Sequence, residues 1–128
     1  MDAGPERRWS GATGTVFPDG VIMIARTWHG RVPAEQSDAY YAYLLRTGLS
    51  EYASTPGNRG VHVLRRTDQG VTHFLLLTYW ESVEAIKAFA GEDYTVARYY
   101  PEDDDYLLER EPFVTHYEVL AASPGSPA

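Results

Sequence analysis

The 128-residue chain contains no cysteine. That absence excludes a disulfide scaffold, a thiolate zinc site, an iron–sulfur cluster and a cysteine nucleophile. Positive charge is scarce, with 11 Lys+Arg against 18 Asp+Glu and a formal net charge of -7. Nucleic acid and anionic membrane demand clustered positive charge, so neither is expected as a partner. No apolar run approaches the ~20 residues that span a bilayer, and no charged-then-apolar leader opens the chain. A soluble, cytoplasmic protein is expected. Also missing are a glycine-rich nucleotide fingerprint, a phosphate-binding P-loop, a Gly-x-Ser-x-Gly elbow and a His-Glu-x-x-His pair, which leaves nicotinamide, flavin and ATP unsupported. Aromatics, by contrast, are abundant: 10 Tyr, 4 Phe and 3 Trp. They point to an aromatic-lined pocket or interface.

Residues 1–20 mix Gly, Pro, Arg and Ser without a sustained period and read as a flexible arm, with a weak hairpin around Phe17 to Gly20. Residues 123–128 read as a disordered tail. A single domain is expected over residues 21–122. Val21 to His29 has strand length and β-forming residues and stops at Gly30. Ala34 to Thr47 carries Ala39, Tyr40, Tyr43, Leu44 and Thr47 at helical spacing, with Gly48 as the stop. Val61 to Leu64 is a second strand, and Thr67 to Gly70 turns the chain into a third, Val71 to Trp80. Ser82 caps a second helix that ends at Gly91; Glu92 to Arg98 is expected to add a further helical turn or two. A short helix from Glu102 through Leu108 and a fourth strand, Phe113 to Leu120, complete the pattern.

The order βαββαβ, with two right-handed crossovers, builds an α+β ferredoxin-like fold. Its four-stranded antiparallel sheet has spatial order 4-1-3-2 and both helices on one face. The third strand is apolar on both sides: Phe74, Leu76, Thr78 and Trp80 on one, His73, Leu75, Leu77 and Tyr79 on the other. A strand of that kind is buried on both faces. Two helices cover one face only, so a homodimer through the open sheet face is expected.

The segments Met23 to Gly30, Tyr79 to Ile86, Phe89 to Tyr94 and His116 to Val119 resemble the antibiotic biosynthesis monooxygenase superfamily, over nearly the whole core. The resemblance implies a dimeric α+β barrel with a pocket between helices and sheet. In some members that pocket oxygenates polyketide or quinol-type aromatics without metal or flavin; in others it holds and degrades haem. It also implies that residues 1–22 are an extension or precede the natural start, because such relatives often begin at the methionine matching Met23. Trp80 matches the tryptophan that closes the third strand in the anthrone-oxidising members. The asparagine and tyrosine those members carry nearby are Leu76 and Ile86 in this chain. The tryptophan and helical histidine of the haem-degrading members fall at Phe89 and near Tyr99, so haem is disfavoured and no cofactor is expected.

A cofactor-free oxygenase requires a base, a substrate able to become a carbanion, and a dry pocket. Histidine is the natural base near neutral pH. His29, His62, His73 and His116 all fall on predicted strands, and strand order brings His29, His73 and His116 toward one end of the sheet. Their spacing matches no metal-ligand motif, and no metal is expected. His29 or His116 is the candidate base, against the plainer reading of a hydrogen-bonded structural histidine. Arg26, in an otherwise apolar strand, must be paired, either with a carboxylate such as Glu118 or with an anionic ligand that it orients. Trp80, Tyr43, Phe89, Tyr40 and Phe74 are the candidate substrate-contacting aromatics, each of which ordinary core packing also explains. The acidic run Glu102 to Asp105 is expected as solvated surface. The expected activity is a cofactor-independent monooxygenation of an aromatic or polyketide-type molecule, or a related proton-transfer or rearrangement step such as a cyclase or isomerase performs. The alternatives are a non-catalytic ligand-binding dimer of the same fold and a haem-binding protein.

Overall fold

The computed structural model describes residues 23–121. The expected arm, its hairpin and the C-terminal tail lie outside those residues. Seven elements carry the fold: β1 (Met23–Pro33), α1 (Ser37–Arg46), α2 (Gly48–Ser54), β2 (Asn58–Asp68), β3 (Val71–Trp80), α3 (Val83–Ala90) and β4 (Thr115–Val119). The strands form one antiparallel sheet in the order β2-β3-β1-β4, the ferredoxin-like 4-1-3-2 arrangement. No helix among the described residues is long and apolar enough to cross a membrane.

Strand pleating sorts the side chains into two sets. Ile24, Arg26, Trp28 and Val32 of β1 share the inner face with Thr72, Phe74, Leu76, Thr78 and Trp80 of β3, and all are buried. Against them pack Tyr40, Tyr43 and Leu44 of α1, Tyr52 of α2, and Val83 and Ile86 of α3. The outer face carries His29 and Arg31 opposite Leu75 and His73, with Leu77 and Tyr79 further along β3. No helix covers it.

Several boundaries differ from expectation for local reasons. β1 does not stop at Gly30 but runs on to Pro33. Gly30 serves the side-chain layer instead: a Cβ there would lie 2.3 Å from Cη2 and 2.6 Å from Cζ2 of the Trp28 indole. Gly48 does not end the first helix either. α1 breaks at Thr47, where the backbone departs to φ -117, ψ -94 and the Thr47 hydroxyl donates to the Tyr43 carbonyl at 2.7 Å. The Tyr43 carbonyl also accepts from the Thr47 N–H at 3.1 Å, and this back-bonding of a threonine onto the helix accompanies the bend into α2. β2 extends three residues before Val61 and four beyond Leu64, because the hairpin turn tightens to Gln69 and Gly70, both at positive φ.

Ser82 caps α3 as expected, accepting from the Ala85 N–H at 3.0 Å. Residues 92–98 add no helix. That stretch is held as a loop by the bridge between Val96 and Phe113 and by hydrogen bonds from Ala97 N–H to the Pro112 carbonyl and from Val114 N–H to the Thr95 carbonyl. The acidic run forms a 3-10 turn, Pro101–Asp105, rather than a helix through Leu108. Phe113 makes only its isolated bridge, so the fourth strand begins at Thr115.

Candidate functional site

A cleft opens between the inner face of the sheet and the helices. With its open mouth it amounts to about 600 Å3. Its floor is sheet: Arg26 and Trp28 from β1 and Leu76 from β3. One wall is helical, with Tyr40 and Leu44 of α1, the Thr47–Gly48 break, Glu51 and Tyr52 of α2, and Phe89 of α3. The other wall comes from the long connection before β4, through Arg98, Tyr99, Tyr100 and Asp103. The break at Thr47 swings α2 across the sheet, which brings Glu51 and Tyr52 to the cleft.

Arg26 is the most informative residue of the floor. It is 3% exposed, and no carboxylate pairs with it among the described residues. The expected partner Glu118 sits opposite Ile24, whereas the register places His116 beside Arg26. The guanidinium instead lies 5.5 Å from the centre of the Phe89 ring and donates one long hydrogen bond, 3.4 Å, to the Tyr94 carbonyl. Its Nε has no partner. Burial pulls the guanidinium below its ordinary pKa, and the nearby Tyr52 hydroxyl partly offsets this. A buried cation without an anion is costly, and an anionic ligand in the cleft relieves that cost.

Asp103 is the second buried charged group of the lining and is 5% exposed. Its Oδ1 accepts from the Tyr40 hydroxyl at 3.0 Å and its Oδ2 from the Tyr100 N–H at 2.7 Å. Burial raises its pKa, opposed by those two donors. The Tyr40 hydroxyl is pushed far up by its own burial and by Asp103. At the mouth, Glu51 is taken up by Arg98, at 3.1 Å, and by the Tyr100 hydroxyl. The indole N–H of Trp28 donates to the Tyr99 hydroxyl at 3.0 Å, which in turn donates to the Glu111 carbonyl at 2.6 Å.

The structure brings together only part of the expected site. Arg26, Tyr40 and Phe89 line the cleft. Trp80, Tyr43 and Phe74 do not; they are fully buried behind it, with the Trp80 N–H donating to Thr78 at 2.8 Å and Phe74 meeting Tyr40 edge-on. Core packing accounts for all three.

Neither candidate base reaches the cleft. His29 alternates to the outer face, where its Nδ1 donates to Glu111 at 2.6 Å and its Nε2 lies 2.9 Å from Nδ1 of His73. A carboxylate only accepts, which fixes the proton on His29 Nδ1. The expectation that strand order gathers the histidines holds for His29 and His73. It fails for His116, which has the opposite parity. His116 faces inward but is not part of the cleft lining; it is part-buried, edge-on to the Tyr94 ring, with Nε2 unpartnered, and burial, and then Arg26, lower its pKa to about 4.

No histidine lines the cleft, so it offers no imidazole to a haem iron. No cluster of three or more metal-ligating side chains occurs among the described residues. Residue patterning missed Asp103, because an aspartate within the run Glu102 to Asp105 resembles solvated surface. The Tyr-Pro step before it, which starts a tight turn, was the only local signal.

The comparisons with known proteins agree with this architecture. A Bacillus cereus structure named after the antibiotic biosynthesis monooxygenases matches at 20% identity and TM-score 0.53, over 81% of this chain and 99% of its own. A Nitrosomonas europaea protein of unknown function matches at 16% identity and TM-score 0.58, over 84% and 98%. A Streptomyces coelicolor monooxygenase from the gene ActVA-Orf6, solved with the ligand nanaomycin D, matches at 14% identity and TM-score 0.52, over 85% and 96%. At such identities these likenesses establish the fold. No protein of curated function matches the sequence. The sequence model for antibiotic biosynthesis monooxygenase matches residues 23–97, more than half of the chain, and the protein belongs to that family.

Proposed function

We propose that this protein is a cofactor-independent monooxygenase that takes a flat, ionisable aromatic of polyketide type into the cleft between helices and sheet. The observation that carries this reading is Arg26, a buried guanidinium on the cleft floor without a carboxylate partner. An oxyanion on the substrate supplies the missing charge, while Trp28, Phe89 and the tyrosines of the walls give apolar contact to the rings. The family supports the reaction type, and the S. coelicolor structure with nanaomycin D supports the ligand class. The net reaction converts a ring methylene and molecular oxygen to a ring carbonyl and water. Ionisation of the substrate beside Arg26 supplies the electron-rich carbon for it.

Oxygen uptake with 1,8-dihydroxyanthrone tests the reaction. Uptake is expected in the unmodified protein and should fall in Arg26→Met. Binding of the corresponding dihydroxyanthraquinone should red-shift its absorbance in the unmodified protein, as its phenol ionises against Arg26, but not in Arg26→Met. Tight binding without oxygen uptake would favour the second reading, a carrier. Leu76 favours that reading, because at the position where the anthrone-oxidising members place an asparagine it gives the cleft floor an apolar side chain.

A homodimer through the outer face belongs to the same proposal. Leu75, Leu77 and Tyr79 are only part-covered there, and Leu64 and Tyr117 are exposed. Light scattering should give twice the 14.4 kDa of one chain; a monomer would contradict it.

A further inference from the structure

The cleft holds two buried groups of opposite charge that do not pair with each other. Among the described residues Arg26 has no carboxylate and Asp103 has no cation within ion-pair distance, the neighbouring Arg110 guanidinium being engaged by Asp104 at 2.7 Å. They sit on different elements, Arg26 on β1 and Asp103 on the turn Pro101–Asp105. Both histidines expected to act as base are excluded from the cleft by strand parity or by burial, so the reaction lacks a proton acceptor unless another residue provides one. The lining contains two carboxylates, and Glu51 is already bonded to Arg98 and Tyr100.

We propose that Asp103, held by the Tyr40 hydroxyl and the Tyr100 N–H, is the proton acceptor of the cleft, acting on an aryl ketone whose oxygen lies against Arg26. This rests on the cleft's being the substrate site. In the step, a ring-methylene C–H bond breaks and its proton passes to a carboxylate oxygen of Asp103. The electron pair enters the ring system, and the ketone oxygen becomes an enolate beside the guanidinium. Asp103 becomes a neutral carboxylic acid, and return of the proton to carbon reverses the step, so no oxidant is involved. Tyr40 and Tyr100 N–H leave lone pairs free on both carboxylate oxygens. Tyr40 is a positioning residue that stays protonated. Burial moves Asp103 toward neutral pH, which improves its match to a weak carbon acid.

Anaerobic deuterium exchange isolates this step from oxygen chemistry. In deuterated buffer, the full-length protein should catalyse exchange at the methylene of 1,8-dihydroxyanthrone. Asp103→Asn should lower that rate at least about 100-fold, while binding of 1,8-dihydroxyanthraquinone, which has no methylene, changes little. Asp103→Glu should restore part of the exchange. Tyr40→Phe removes a donor from the ionised carboxylate, so the acid limb of the rate–pH profile should move to higher pH.

Exchange by Asp103→Asn at the unmodified rate overturns the assignment, as does an unmoved acid limb in Tyr40→Phe. If Asp103→Asn does not fold, Asp103→Glu and Tyr40→Phe decide on the same criteria. A protein that binds and oxidises the anthrone while Asp103→Asn keeps its exchange refutes Asp103 alone. One that does not bind the anthraquinone refutes the cleft as the substrate site, and the base assignment with it.

Discussion

On the outer face of the sheet, ionisable groups are partnered within the protein: His29 with Glu111 and His73, Arg31 with Glu109 at 2.7 Å, and His62 with the Tyr79 hydroxyl at 3.2 Å. On the inner side, among the described residues, Arg26 has no carboxylate, Asp103 has no cation and His116 Nε2 has no partner. The outer pairs are partly solvated, where pairing gains little and its loss costs little. The inner groups have lost their water, where an unsatisfied charge is expensive. A protein tolerates such groups when something other than its own chain completes them. The contrast therefore favours the cleft as the candidate site, and the His29–His73–Glu111 chain lies on the opposite face of the sheet from it.

The contrast breaks most visibly at Arg26. Arg26→Met substitutes an apolar chain of similar length for an unpaired buried charge, so folding stability should rise by about 1–4 kcal/mol while ligand ionisation is lost. Urea unfolding measures the first; a loss of stability would mean that Arg26 has a partner within the fold after all.

His116 comes next. Its folded pKa, lowered to about 4 from 6.5, lies below the unfolded value, so the unfolded chain binds the proton first as pH falls. Stability is unaffected above pH 7, declines between about pH 6.5 and 4, and is constant below. The loss between pH 7.5 and 4.5 is on the order of 2–3 kcal/mol, and His116→Asn should flatten that part of the curve. An unchanged pH dependence in the variant would show that water or a partner reaches Nε2.

The smallest effect belongs to the outer face. Glu109→Gln leaves Arg31 half-solvated and should cost about 0–1 kcal/mol, less in high salt. A larger cost would indicate that a second subunit buries the pair.

Much of the fold is legible in the sequence because periodicity dominates it. VTHFLLLTYW is a run of β-formers apolar on both sides, and Ser82 with its downstream apolar stripe sets α3. Glycine misled twice, since Gly30 and Gly48 sit in ordinary elements. Their meaning depends on neighbours, the Trp28 indole in one case and the Thr47 side chain in the other, that spacing along the chain does not reveal. The cleft floor was readable through Arg26, an ion in an apolar strand. The far wall was not. Tyr99, Tyr100 and Asp103 reach the sheet only because the connection folds back through the Val96–Phe113 bridge, a contact spanning seventeen residues with no repeating pattern. His29 departs from the cleft by parity: its odd, three-residue offset from Arg26 puts the two on opposite sides of the sheet.

Gly30 has one more consequence. The indole of Trp28 lies back over the space where a side chain at position 30 would stand, and the Leu107 side chain closes the other side at 3.0 Å. A methyl group there would displace the indole, and with it the Trp28–Tyr99 hydrogen bond that forms part of the floor and far wall. The room available to a ligand is thus governed by a residue that contributes no atom to the cavity. The shape of the cleft can drift through substitutions at position 30 while Arg26 and Asp103 stay unchanged.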